Sequence, residues 1–178
     1  MGSHRRPEVP GTPGARAAET PIATTTAIPL AALEAVRAAA IRKKTLLGHE
    51  KDEFPVVLAR HGQALELFEH PGEVLATVLA YLHQKRGIDL ARSRHAEVAA
   101  AISKARGSTF LLLGEEQVPL AGSLTDTDAR EELIAFFNGL HGAGDGPDVG
   151  EAMRDGIRFL RRALEAITPG TVVLVAIL

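Results

Sequence analysis

The stretch from Phe54 to Asp89, FPVVLARHGQALELFEHPGEVLATVLAYLHQKRGID, constrains the fold more than any other part of the chain. Val56, Val57 and Leu58, then Ala64, Leu65, Leu67 and Phe68, form two apolar segments separated by His61 and Gly62. This spacing predicts a β-hairpin within Val56 to Phe68, with the glycine free to take positive φ in the connection. Arg60, Gln63, Glu66 and Glu69 give it the polar positions of a sheet with a wet rim. His70-Pro71-Gly72 stops the second strand, because proline has no N–H for the ladder and disfavours helix in the residue before it. A helix follows, with Val74, Leu75, Val78, Leu79 and Leu82 on one face and Lys85 and Arg86 in a basic last turn before Gly87. That face is expected to lie on the hairpin.

Two other segments are short, continuous and apolar, as strands buried on both faces are. Thr109 to Leu113, between Gly107 and Gly114, is expected at the centre of the sheet, and Val172 to Leu178, after the turn Thr168-Pro169-Gly170, in its middle. Val118-Pro119-Leu120 reads as an edge strand, where proline is tolerated. Between them lie helical patterns. Pro29 to about Leu47 carries Leu33, Val36, Ala40 and Leu47 on one stripe, with Arg42, Lys43 and Lys44 as its basic last turn and Gly48 as its end. Ser93 is placed to cap a helix over Arg94 to Ala105, whose Val98, Ala101, Ile102 and Ala105 make a narrow face. Asp128 with Glu131, and Asp148 with Glu151, have the cap and third-position spacing that opens a helix. The first such helix holds Leu133, Ile134, Phe136, Phe137 and Leu140. The second holds Met153, Ile157, Leu160, Leu164 and Ile167, with Arg154, Arg158, Arg161 and Arg162 off the stripe on a solvated face.

The resulting expectation is an α/β or α+β domain over residues 28–178. It has a small mixed sheet of four or five strands, including the hairpin, covered by about five helices. Residues 1–27, with Pro7, Pro10, Pro13 and Pro21 and little to bury, are expected to be a disordered tail. At 178 residues, with 46% hydrophobic and 24% charged side chains, one domain with a substantial core is the natural size.

Composition removes several functions. The formal net charge of -2 provides no global field for nucleic acid or an anionic membrane, which makes polyanion binding the minority reading. The absence of cysteine excludes disulfides, thiolate nucleophiles and sulfur-ligated zinc, and suits a reducing cytoplasm. There is no apolar run of the roughly 20 residues a spanning helix requires. The bias toward Ala, Gly, Arg, Leu and Val is the one expected of a GC-rich bacterial genome, an association that carries no chemistry.

No catalytic signature is present. Ser93, Ser103, Ser108 and Ser123 lack a GxSxG or SxxK context, and the histidines His4, His49, His61, His70, His83, His95 and His141 have no tight ligand spacing, so neither a cofactor nor a metal is expected. Asp126 and Asp128 lack the rest of a calcium loop. The Gly-rich segment 139–150 precedes a helix and would let backbone N–H groups approach an anion. It lacks a phosphate-loop pattern, and Asp145 and Asp148 place negative charge where a phosphate would sit. Two readings follow. In the first, the chain is a non-catalytic interaction or regulatory domain that binds a protein partner or itself, with the last strand contributing edge pairing. In the second, it is an enzyme or a receptor for a small ligand or nucleotide, with a site at the Gly-rich loop formed by His61, His141, Gly142 and Gly144, with His70 as a further candidate.

Overall fold

Seven consecutive residues rich in β-branched side chains, Thr171 to Ile177, form an inner strand with apolar residues on both sides, so the chain must supply a helical layer to each face. The computed structural model describes residues 22–44, 50–142 and 148–178. In chain order it contains β1 (Ala23–Pro29), a 3-10 turn (Leu30–Ala32) leading into α1 (Leu33–Ala39), β2 (Lys43–Lys44) and β3 (Glu50–Lys51). Then come α2 (Phe54–His61), β4 (Gln63–Phe68), α3 (Gly72–Arg86), α4 (Ala96–Arg106), β5 (Thr109–Leu113) and a 3-10 segment (Glu115–Ser123). The chain ends with α5 (Arg130–His141), α6 (Val149–Glu165) and β6 (Thr171–Ile177).

The main sheet has four strands in the order β4-β1-β6-β5, and β2 and β3 form a separate two-stranded ribbon. The α/β architecture with helices over a small sheet is as expected, but every pairing is antiparallel, so the sheet is not mixed. Side-chain alternation divides the core in two. Val172, Leu174 and Ala176 of β6 pack with Phe110, Leu112 and residues of α1, α2 and α4, while Val173 and Val175 pack with Leu111, Leu113 and residues of α3, α5 and α6. The result is a three-layer sandwich with the sheet inside. Each Leu or Val so buried contributes roughly 1.5 to 3 kcal/mol, which is why these strands read as unbroken apolar runs. On α6 the expected stripe holds, with Met153, Ile157, Leu160 and Leu164 all buried. Gly156 lets α6 approach α3: a Cβ there would meet Val78 Cγ2 at 2.8 Å.

The expected hairpin within Val56 to Phe68 is absent, because its first segment is helix α2. Asp52 accepts a hydrogen bond from Phe54 N at 3.1 Å, and Pro55 falls in the first turn, where its missing N–H costs nothing. The helix is then held by Phe54, whose ring meets Phe110 edge-on at 5.7 Å under the Arg106 guanidinium. Gly62 ends it, and a Cβ at that position would come within 2.5 Å of Thr26 Cγ2. The second segment is a strand, β4, as expected, but it pairs with β1.

That pairing corrects the boundary at residue 27. Thr24 to Ala27 belong to an inner strand bonded to both β4 and β6, so residues expected in the tail are part of the sheet, and residues 1–21 lie outside the described residues. Of the strand's side chains Ala23, Thr25 and Ile28 are buried, while Thr24, Thr26 and Ala27 are half-buried.

Other expectations shift with the sheet. Strand β5 is at an edge and not central, whereas β6 is inner, as expected, and has no free edge to offer a partner. Val118-Pro119-Leu120 lies in the 3-10 segment. The helix expected to reach Leu47 stops at Ala39, and Lys43 and Lys44 form β2 and not a last helical turn; Leu47 and Gly48 lie outside the described residues. Asp128 does not cap α5, whose N-cap is Ala129, and pairs instead with Arg86. Ser93 precedes α4 and accepts from His95 N, so that His95 takes the cap position. Asp148 does cap α6, accepting from Glu151 N at 3.2 Å.

Two perturbations test this architecture. Leu174→Ala should cost about 2 to 5 kcal/mol in urea unfolding, the range for a truncated buried leucine. A chain begun at Ile28 lacks most of β1 and should show no cooperative thermal transition by circular dichroism.

Candidate functional site

The structure separates the residues of the expected loop site. His61 is the exposed last residue of α2, which packs on one face of the sheet, whereas His141 ends α5 on the other. They do not share a pocket. Gly142 takes φ 82° as α5 ends, and Gly144 lies outside the described residues. Among the described residues no group of three His, Asp or Glu side chains is arranged to hold a metal ion.

His141 is nevertheless highly connected. Its Nδ1 lies 2.8 Å from Glu73 Oε1 and its Nε2 lies 2.7 Å from Thr77 Oγ1. Glu73 and Thr77 are one helical turn apart on α3, so both face the end of α5. An acid, an imidazole and a hydroxyl in series form the relay of a nucleophilic hydrolase. Burial blocks that chemistry: Thr77 is 3% exposed, and its hydroxyl also lies 2.9 Å from the Glu73 carbonyl as donor. No substrate carbonyl can reach Oγ1 in this arrangement. The cluster ties the C-terminus of α5 to the first turn of α3, and the Phe137 ring lies 4.4 Å from the imidazole.

A second set of polar side chains runs along α6. Arg158 bonds Asp126 at 2.7 Å, Glu151 at 2.9 Å and Asp155 at 2.8 Å, which places its guanidinium well above its ordinary pKa. Asp155 in turn lies 3.0 Å from His70 Nε2. Burial pushes the Asp155 carboxyl up, but the hydrogen bonds from His70 and Arg158 outweigh it and hold the carboxyl below its usual value. One turn on, Arg162 bonds both carboxylate oxygens of Glu66 on β4. Between β4 and α6 lies a cleft of about 320 Å³ lined by Glu66, Leu67, Phe68, Glu69, His70, Asp155 and Arg162. Its carboxylates outnumber its single guanidinium, so it presents negative charge.

Strand β4 itself is an edge, with β1 on one side and no strand on the other among the described residues. Its Leu65 and Leu67 are 37% and 56% exposed. The register with β1 shifts between Thr25 and Thr26, so that Leu65 is an extra residue and Ala64 comes opposite Thr26. On the α2 side a second cleft, of about 440 Å³, is lined by Thr26, Pro55, Leu58, Ala59, Gly62 and Ala64. The open edge therefore has an apolar cleft on one face and an acidic cleft on the other.

Comparison with protein-family models, with curated proteins and with solved structures finds no match to this chain. No helix among the described residues is long and apolar enough to cross a membrane.

His70 was legible as a candidate, but Glu73, Thr77, Asp155, Glu66 and Arg162 were not. The available signal was the spacing on helices: Glu73 with Thr77, Glu151 with Asp155, and Arg158 with Arg162 each fall four residues apart. The carboxylates held low by Arg158 imply an acid dependence. Their folded pKa values lie below the unfolded ones, so their stabilisation is present above roughly pH 4 and is lost as pH falls through the folded values. Urea midpoints should therefore decline below about pH 4, and less steeply in Arg158→Met. Thr77→Val should lower stability by about 1 kcal/mol, the net worth of a typical hydrogen bond.

Proposed function

We propose that this chain is a protein-interaction domain without catalytic activity of its own, and that it recognises an extended segment of a partner by strand addition at β4. The single observation that carries the reading is the β4 edge, unpaired among the described residues, with exposed Leu65 and Leu67 and a cleft on either face. Strand addition is a recurrent recognition mode in which the main-chain ladder supplies affinity and alternate pockets supply specificity. A partner other than a second copy is favoured. Self-pairing would bring two acidic clefts together, and the bulge at Leu65 interrupts the regular edge that a long self-paired ribbon needs. A cytoplasmic setting belongs to the same reading and accords with a chain that has no cysteine. The rival reading, a small-ligand or nucleotide site at the Gly-rich loop, draws less support because His61 and His141 lie on opposite faces of the sheet.

The test uses a neutral heptapeptide of alternating threonine and valine. Added at millimolar concentration, it should slow amide exchange across residues 63–68 and leave 109–113 unchanged. Leu67→Asp should abolish the protection while retaining the thermal transition. Unaltered exchange at 63–68 would count against strand addition.

A further inference from the structure

Building on the strand-addition reading, we infer that the partner segment alternates aliphatic with basic residues, with the aliphatic side chains entering the cleft beside α2 and the basic ones the acidic cleft beside α6. The inference follows from the period of a strand. Successive side chains of any segment added to β4 point to opposite faces of the sheet, so one set meets each cleft. The two clefts differ in chemistry. The one beside α2 is built from Pro55, Leu58, Ala59 and Ala64, with the Thr26 methyl and Gly62 completing the wall. It has no charged side chain and suits a branched aliphatic group.

The cleft beside α6 is acidic, and its charges are not all engaged. Glu66 is bonded by Arg162, and Asp155 by His70 and Arg158. Glu69 is exposed at the cleft and forms no ion pair or hydrogen bond among the described residues. His70 turns Nε2 to Asp155 at the same cleft. The Phe68 ring, 5.3 Å from Phe159 and 5.2 Å from His70, forms the apolar floor. A guanidinium or ammonium on an aliphatic stem matches this combination of carboxylate, imidazole and aromatic wall. A carboxylate-bearing segment would be repelled by it.

The experiment measures binding of fluorescein-labelled heptapeptides to the full chain by anisotropy. The first alternates arginine and valine, the second has the same composition in two blocks, the third alternates threonine and valine, and the fourth glutamate and valine. The first should bind about tenfold more tightly than the second and third, corresponding to one or two partly exposed charge pairs, with the fourth weakest. The advantage should shrink as salt rises. Glu69→Gln should remove most of it while leaving binding of the threonine peptide unchanged. If the arginine and threonine peptides bind equally, the inference fails and the strand-addition reading stands. If the block peptide equals the alternating one, or Glu69→Gln changes nothing, the attraction is unspecific and the inference fails. If no peptide binds, both fail.

Discussion

Everything in this fold depends on β6 being apolar on both faces. A strand reading Thr-Val-Val-Leu-Val-Ala-Ile cannot expose either side to water without losing on the order of 1.5 to 3 kcal/mol for each large side chain left uncovered. The rest of the chain is a response to that requirement. Helices α3, α5 and α6 close one face, and α1, α2 and α4 the other. Because β6 sits between β1 and β5, its backbone is satisfied by ladders on both sides, and the cost of burying peptide groups is met within the sheet. What remains unpaired is displaced outward, to the two outer strands β4 and β5.

The polar organisation is secondary to this and runs along α6. The helix buries Met153, Ile157 and Leu160 on one side, which obliges Asp155, Arg158 and Arg162 to face the loop at Asp126 and the strand at Glu66. The same arginines therefore stitch the helical layer to the edge of the sheet and shape the acidic cleft beside it. Ion pairs that are this exposed contribute little individually to stability. Their larger effect is to fix where the side chains of α6 and β4 stand at the cleft.

How much of this was legible in the sequence varied with the source of the structure. Segments whose own pattern decides their fate were readable: α3, the apolar stripe of α6, β5 and β6 as strands, and the Asp148 cap. Segments decided by their neighbours were not. Val56-Val57-Leu58 has strand-like residues, yet Pro55 in the first turn and the packing of Phe54 on Phe110 make it helical. Ala23 to Ala27 has too little apolar surface to announce a strand, and becomes one because β4 and β6 lie on either side. The candidate site was hidden for the same reason. A cleft made by the end of one strand and the polar face of a helix some 85 residues away in sequence, as His70 and Asp155 are, has no local spacing to betray it.

The extra residue at Leu65 has a consequence for the life of the protein in a crowded solution. An edge strand with exposed leucines is the kind of template from which ordered aggregates grow, since each added chain presents a fresh edge to the next. Growth of that kind requires a flat, regular ribbon. The bulge breaks the register with β1, which shortens the regular stretch of the edge and works against indefinite propagation. A deletion of Leu65 would thus be felt first as a loss of colloidal stability, with the fold itself still intact.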